Sequence, residues 1–316
     1  MNKKVVVLGG GTGLSSLLKG LKMYPIDISA IVSVCDDGRS TGKLRKEFNI
    51  PAVGDIRQVL VSLSETEPLI EELLNYRFKT EDDLNGHSVG NLILAALTNI
   101  TGNLTDGVES LSKVLNLKGK VIPVTEDNIT LMAHMKDGTT VEGEHNITAA
   151  KKQIKDIYYK EKAVTNDTAI KAIEEADLIV LSMGSLFTSI IPDLICKDII
   201  KTIDKSKAPI LYVCNMMTQP GETDGFKVSD HIKTLNKYLG KRKIDMVIIN
   251  TGEISEEIIE KYAVLEQKDP VPFDKENVRK LKVKYISDDF VSTDTGMIRH
   301  DTYKLAFYIF RETIKN

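Results

Sequence analysis

Six short apolar runs, separated by stretches with helical periodicity, constrain the fold more than any other feature of this sequence. A short, continuous apolar run is typical of a strand that is buried on both faces, as in a parallel sheet. Strands that alternate with helices predict an α/β fold of the Rossmann-like type, with a mostly parallel sheet between two helical layers. The apolar runs are Val5–Leu8, Ile28–Val34, Val121–Val124, Leu178–Ser182, Pro209–Val213 and Met246–Asn250.

One segment breaks this rhythm. Between Ile129 and Tyr159, apolar residues alternate with polar ones, and Asp137-Gly138 is a hairpin turn signal. We therefore predict a small antiparallel insertion at about residues 128–160, on one flank of a single domain that spans residues 1–316. The main helical stretches are predicted at Thr12–Lys22, Asp55–Leu63, Val89–Thr101, Val108–Leu115 and Val228–Leu239.

Composition excludes several classes of protein. The chain has 316 residues, of which 42% are hydrophobic, and a net charge of −3. It can bury a full core, but its charge argues against nucleic-acid or anionic-membrane partners. No apolar run approaches the roughly 18 residues of a membrane span, and three cysteines without a CxxC motif predict neither disulfides nor zinc. We expect a soluble cytoplasmic protein, and homo-oligomerisation stays open.

The first apolar run leads directly into a glycine-rich turn, Gly9-Gly10-Gly11-Thr12-Gly13, followed by a helical pattern. Backbone N–H groups in such a turn, with a helix N-terminus behind them, bind anions. The dinucleotide fingerprint fits only in part, because Leu14 occupies its third glycine position. We predict phosphate or nucleotide binding on this turn. A tight turn without a ligand is the alternative, and NAD binding is a minority interpretation.

The second run is followed by CDDGRSTGKLR and, shortly after, GDIRQVL. Three of the eight arginines, Arg39, Arg45 and Arg57, lie here, and arginine suits bidentate phosphate contacts. We expect Asp36 and Asp37 to bind a metal or the base or sugar of a ligand, with Ser40 beside them. A solvated loop with surface ion pairs is the alternative. Glycine spacing and Leu44 exclude a Walker A loop.

Three further polar loops are predicted at the same sheet edge. In NGHSVGN we expect a structural or hydrogen-bonding role for His87, since no nucleophile partner is evident, and a role as a base is the alternative. GSLFTSIIP offers small hydroxyls and backbone donors after a strand, with simple helix capping as the alternative. CNMMTQPGETDGF forms a polar turn after the next strand. Together the loops predict a large polar cleft for a phosphorylated ligand. The candidate ligand-binding residues in these three loops are His87, Asn91, Gly184, Ser185, Thr188, Ser189, Asn215 and Thr218.

The motifs GGGTGLS, CDDGRSTGKLR, GDIRQVL, GHSVGN, GSLFTSIIP and CNMMTQPGETDGF occur in order over most of Gly9–Phe226. This series resembles the gluconeogenesis factor (YvcK-type) branch of the 2-phospho-L-lactate transferase (CofD-like) family. The resemblance implies a Rossmann-like three-layer fold. The transferase branch moves a phospholactyl group from a guanosine diphospho-ester to a deazaflavin alcohol, with magnesium. The other branch is associated with cell shape and wall growth on gluconeogenic carbon sources and is similar to proteins that bind UDP-N-acetylglucosamine.

TGMIRHD, near the C-terminus, resembles a feature of the same branch, which implies that Arg299 and His300, together with Tyr262, contact a UDP-sugar. For Tyr262, a half-buried structural position on its helix is the alternative. Our first hypothesis is a nucleotide-sugar-binding regulator that catalyses no reaction, or only a weak one, and acts with cell-wall synthesis proteins. The second is a transferase that uses magnesium; Asp36 and Asp37 alone are an incomplete magnesium site. An NAD-dependent oxidoreductase is a third, weaker hypothesis.

Overall fold

A computed structural model of the chain describes residues 2–293 and 297–315, apart from the side chain of Arg39. Its main sheet has seven parallel strands in the order β10-β9-β8-β7-β1-β2-β3. The strands are β1 (Lys3–Gly9), β2 (Ile26–Val32), β3 (Lys120–Pro123), β4 (Leu131–Met135), β5 (Thr140–Glu142), β6 (Ile154–Tyr159), β7 (Leu178–Leu181), β8 (Ile210–Val213), β9 (Met246–Asn250), β10 (Lys284–Asp288), β11 (Val291–Ser292) and β12 (Arg299–His300).

Helices cover both faces of this sheet, so the predicted α/β fold with a mostly parallel sheet is confirmed. On one face, α1 packs against α3 and α14; on the other, α9 packs against α10 and α11. The helices are α1 (Gly11–Leu21), α2 (Arg39–Phe48), α3 (Gly54–Leu63), α4 (Pro68–Asn75), α5 (Val89–Thr101), α6 (Leu104–Val114), α7 (Glu144–Ala150), α8 (Asp167–Glu174), α9 (Ile191–Ile195), α10 (Ile199–Lys205), α11 (Val228–Tyr238), α12 (Glu256–Glu266), α13 (Lys275–Lys280) and α14 (Thr302–Lys315), with a π-helical turn at Leu186–Ile190.

All six predicted strands are present, because each is a buried apolar run. The edge strand β10 was not predicted. Its sequence KYISD alternates between exposed and buried positions, so it lacks the continuous apolar run that marks the inner strands. Helix α6 begins at Leu104, earlier than predicted, because the side chain of Asn103 caps it by accepting a hydrogen bond from the Asp106 N–H at 2.8 Å.

The predicted antiparallel insertion is also confirmed. It is a three-stranded sheet in the order β5-β4-β6, with α7 between β5 and β6. The Asp137-Gly138 turn joins β4 to β5. Asp37, in the loop after β2, holds α7 in place, because its carboxylate accepts a hydrogen bond from the His145 N–H at 2.8 Å. The insertion therefore lies against one side of the carboxyl edge of the main sheet.

The strand order places a topological switch point between β1 and β7. From β1 the chain builds the sheet outward through β2 and β3, and it then returns to β7 and continues in the opposite direction. Helices that follow β1 and β7 diverge to opposite faces, which opens a crevice at the carboxyl ends of these strands. Open α/β sheets bind ligands in such a crevice.

Candidate functional site

The glycine turn after β1 forms one wall of this crevice. Gly11 has φ +62°, a left-handed conformation that favours glycine, and Gly10 caps the N-terminus of α1. A Cβ atom at Gly13 would lie 2.6 Å from the backbone oxygen of Met183, at the end of β7. Glycine at this position therefore lets α1 approach the loop after β7, and the two predicted phosphate-binding turns are neighbours in space.

The two turns line a cleft of about 330 Å³. Loops after β1, β7 and β8 form its walls, and the segment that contains β12 closes one side. Of the predicted ligand-binding residues, this cleft brings together Gly10, Gly11, Thr12, Gly13, Gly184, Ser185, Ser189, Asn215, Thr218, Tyr262, Arg299 and His300. Gln219, from the polar turn CNMMTQPGETDGF, also lines the cleft, whereas the sequence reasoning missed Lys268.

Asn215 holds the cleft walls together. Its side-chain amide donates to the backbone oxygen of Gly184 at 2.9 Å and accepts from the hydroxyl of Tyr212 at 3.0 Å. Gln219 makes a similar link, since its amide donates to the Ser185 hydroxyl at 2.6 Å. Both side chains fix the loop after β8 against the loop after β7, so they set the width of the cleft.

Tyr262 is linked to Arg299 by its contact with Ile298, the residue that precedes Arg299 in the chain. The hydroxyl of Tyr262 accepts a hydrogen bond from the Ile298 N–H at 2.9 Å, and Ile298 packs with Tyr262 and Met216 in a small apolar cluster. These contacts place Arg299 at the edge of the cleft. Sequence spacing gave no reason for Tyr262 to reach this site; the structure places it there on α12.

Lys268 reaches the cleft from the loop between α12 and α13. Asp269, which follows Lys268, forms two hydrogen bonds with Thr218. The Thr218 N–H donates to the Asp269 oxygen at 2.8 Å, and the Asp269 N–H donates to the Thr218 hydroxyl at 2.9 Å, so this loop is anchored. The Lys268 ammonium pairs with Glu266 at 2.6 Å. The cleft thus has two cationic side chains, Arg299 and Lys268, among the described residues that line it. A long connection between two helices has no motif that would have identified Lys268 from sequence.

A second group of predicted residues lies outside the lining of this cleft. Ser40 and His87 contact each other at 2.9 Å between hydroxyl and Nδ1, and both are buried. His87 therefore has the hydrogen-bonding role expected of it, and also a hydroxyl partner that the sequence did not predict. Burial is the main reason why the pKa of His87 is lowered.

The arginines predicted to contact phosphate are engaged with protein oxygens. Arg57 is buried and donates to the side chains of Asn91, at 3.1 Å, and Asn75. Arg45 is also buried and donates to backbone oxygens that include that of Asp36, at 3.3 Å. The side chain of Arg39 lies outside the described part of the structure. Arg45 and Arg57 thus tie loops and helices together.

Carboxyl groups crowd the side of the glycine turn that faces the insertion. Burial, followed by the nearby charge of Asp36, raises the pKa of Asp55 to about 7, and a hydrogen bond from the Gly11 N–H opposes this shift. Burial and the charges of Asp36 and Asp55 raise the pKa of Glu144 to about 8. Sequence analysis gave no ligand role to Asp55 or Glu144, although Asp55 stands in the GDIRQVL motif.

Glu222 is a third carboxyl in this region. It is buried and accepts hydrogen bonds from the Phe187 N–H at 3.1 Å and the Thr188 hydroxyl at 3.3 Å. Burial raises its pKa to about 7. Thr188 therefore faces Glu222 behind the π-helical turn. Gly9 also lies behind the cleft, against Ser182, whose Oγ would be 2.1 Å from a Cβ atom at that glycine.

The carboxyl groups do not form a recognisable metal centre. Asp36 accepts from the Gly38 N–H at 2.9 Å, whereas Asp37 is used by α7. Within residues 2–293 and 297–315, no group of three or more His, Cys, Asp or Glu side chains is arranged to hold a metal ion. The donor set around Asp36 and Asp37 thus does not by itself fit a resident magnesium ion.

Fold and cleft define a Rossmann-like protein with a ligand crevice at its switch point. The sequence profile of the 2-phospho-L-lactate transferase CofD family matches residues 5–291, and the chain belongs to this family.

Curated relatives and a solved structure agree over nearly the full length. The chain is 46% identical over 304 residues to the gluconeogenesis factor of Bacillus subtilis, covering 96% of each chain. It is 45% identical over 312 residues to the putative gluconeogenesis factor of Thermotoga maritima, covering 98% of each. The crystal structure of protein BH3568 from Bacillus halodurans superposes with a TM-score of 0.95 at 45% identity, covering 98% of this chain and 100% of that one.

Among the described residues, no helix is long and apolar enough to cross a membrane.

Proposed function

We propose that this protein binds a nucleotide-sugar of the UDP-N-acetylglucosamine type and acts as a cytoplasmic regulator of cell shape and cell-wall growth under gluconeogenic conditions. The observation that carries the proposal is the cleft in which two turns at helix N-termini meet and whose edge holds Arg299. Relatives named gluconeogenesis factor, at 42–46% identity, support the regulatory part. Its protein partners would be enzymes or assembly factors of cell-wall synthesis.

In this proposal the diphosphate lies on the parts of the two turns that line the cleft, at helix N-termini. These parts are Gly10–Gly13 in the first turn and Gly184, Ser185 and Ser189 in the second. Arg299 and Lys268 balance its charge. Asp36 and Asp37, which we expected to contact base or sugar, do not line the cleft, and Asn215 holds its walls. The apolar cluster of Met216, Tyr262 and Ile298 borders the space left for these groups.

A transferase acting on a guanosine diphospho-ester with magnesium is the second candidate. It is favoured by the family match and by the carboxyl groups of Asp55 and Glu144, whose pKa values of about 7 and 8 suit proton transfer near neutral pH. In such a reaction the ligand would extend from the cleft to the side of the glycine turn where these two groups lie and would exchange protons with them.

Calorimetry and a turnover assay separate the two candidates. Binding of UDP-N-acetylglucosamine, GDP and NAD is measured side by side, and the UDP-sugar is then incubated with the protein and magnesium. The regulator predicts tight binding of the UDP-sugar, recovery of unchanged ligand, and affinity about 10- to 150-fold weaker in Arg299→Ala. Arg279→Ala is the control, since Arg279 is exposed and pairs with Glu276 on its own helix. Preference for a guanosine ligand, with magnesium-dependent transfer to a deazaflavin alcohol, would establish the transferase instead.

A further inference from the structure

His300 is the one histidine that lines the cleft within the described residues, and a hydrogen bond to the backbone fixes its ring. Its Nε2 atom lies 3.2 Å from the backbone oxygen of Cys214, at the carboxyl end of β8. A carbonyl oxygen only accepts hydrogen bonds, so Nε2 must carry the proton. A neutral imidazole has a single N–H, which leaves Nδ1 as a bare acceptor.

The ring is neutral at physiological pH. Burial lowers the pKa of His300 to about 4, while the hydrogen bond to Cys214 opposes this shift. In the described part of the chain, the side chain of His300 forms its hydrogen bond at Nε2 and none at Nδ1. The cleft therefore contains an acceptor nitrogen without a protein partner.

The backbone around His300 is held on both sides. His300 pairs with Val291 in the β11–β12 ladder, and the next residue, Asp301, donates to the Phe290 oxygen at 2.6 Å. On the other side, the Ile298 N–H is bonded to Tyr262. A ring fixed in this way can discriminate between ligands, because moving it to avoid a mismatch would break the contact with Cys214.

We propose that Nδ1 of His300 accepts a hydrogen bond from a hydroxyl or N–H group in the non-phosphate part of the ligand. A lone pair repels ionised phosphate oxygens, which have no hydrogen to donate, so this nitrogen must face the sugar or the base. His300 thereby selects a ligand with a donor at this point. This inference rests on the proposed function. It adds that, at this one contact, the protein accepts the hydrogen bond and the ligand donates it.

Two substitutions separate the roles of the two ring nitrogens. His300→Gln keeps an N–H group near the Nε2 position, able to donate to the Cys214 oxygen, but removes the acceptor at Nδ1. His300→Asn keeps an acceptor near the Nδ1 position and gives up the reach to Cys214. His134→Gln is the matched control, because His134 is exposed on the insertion and bonded to Asp156.

Calorimetry is carried out with UDP-N-acetylglucosamine, UDP and pyrophosphate. We expect His300→Gln to bind the UDP-sugar roughly 5- to 100-fold more weakly, because the ligand's donor loses its partner, and to bind pyrophosphate unchanged. His300→Asn should lose less affinity. A loss with the UDP-sugar alone assigns the donor to the sugar, and an equal loss with UDP assigns it to the nucleoside. Unchanged affinity, or an equal loss for pyrophosphate, would overturn the inference.

Nitrogen-15 NMR of the histidine rings tests the tautomer without any ligand. His300→Gln identifies the His300 signals by their disappearance. We expect Nε2 protonated and Nδ1 bare in the free protein, with Nδ1 shifting when the UDP-sugar is added. A proton on Nδ1 would refute the inference. Failure of the wild-type protein to bind the UDP-sugar, with Nδ1 bare, would instead count against the proposed function and, with it, the assigned donor.

Discussion

At the scale of single residues, the cleft depends on positions where a side chain would do damage. Gly11 and Gly13 illustrate two causes. Gly11 needs a left-handed backbone, and space around it is open, since the nearest atom to a Cβ would be an Asp55 oxygen at 3.9 Å. Gly13 needs the close approach to Met183. A substitution at Gly11 is therefore the cleaner probe of ligand binding.

We predict that Gly11→Val abolishes nucleotide binding while the protein still folds. The left-handed backbone costs a branched residue at least about 1–2 kcal/mol of stability, and the new side chain occupies the space a phosphate needs. Gly102→Val is the control, because Gly102 has φ +89° with nothing near a Cβ, and lies at the end of α5. Denaturant unfolding and calorimetry measure both effects. Normal binding by Gly11→Val would show that the phosphates lie elsewhere.

At the scale of elements, buried polar side chains connect neighbouring helices and loops through hydrogen bonds. Arg57, on α3, bonds Asn91 on α5 and Asn75 at the end of α4. Glu222, in the loop after β8, holds the start of the π-helical turn. Buried polar groups of this kind are costly to leave unpaired, so each should act on stability in a distinctive way.

We expect Arg57→Ala to lower the free energy of unfolding by about 2–4 kcal/mol, because it leaves buried amide oxygens without a hydrogen-bond donor and removes a packed side chain. Ligand affinity, measured under conditions where the variant is folded, should change little. Arg279→Ala, an exposed control, should change stability by less than about 1 kcal/mol. The opposite pattern, an affinity loss of 10-fold or more with normal stability, would restore the phosphate role expected for Arg57 from sequence.

Glu222 predicts a pH dependence with a definite sign. Its pKa is about 7 in the folded protein, above the ordinary value of 4.5. Between these two pH values the folded protein therefore keeps a proton on Glu222 that the unfolded chain releases. This contribution is fully present below about pH 4.5 and is lost as the pH rises through 7. The free energy of unfolding of Glu222→Gln, measured relative to that of the wild type, should therefore increase between pH 5 and pH 8–9. Parallel curves in urea titrations across this range would contradict the assignment.

At the scale of the whole molecule, the order of strands brings distant segments to one crevice. Residues near positions 10, 184, 215, 262 and 299 line a common cleft. The loops around Asp36 and His87, which also follow strands or begin helices, lie beside it and do not line it. A ligand should distinguish these two sets of segments.

Amide hydrogen exchange tests this arrangement in the intact protein. With UDP-N-acetylglucosamine bound, we predict slower exchange in segments 10–16, 183–189 and 215–219, because their N–H groups contact the ligand or lose solvent. Segments 36–43 and 85–91 should change much less. Protection centred on those two segments would place the ligand over Asp36 and His87, and the cleft described above would not be the main site.

The sequence by itself determined the inner strands, the insertion and the glycine turn, since each follows from local patterns: continuous apolar runs, alternation, and glycines between a strand and a helix. Only the tertiary structure decided which polar loops share a cleft. Arginines that looked suited to phosphate turned inward to buried amides, as Arg57 does with Asn91. Tyr262, Lys268 and His300 entered the cleft from segments far along the chain. Side-chain orientation and long-range contact depend on packing between elements, and no local sequence pattern encodes that packing.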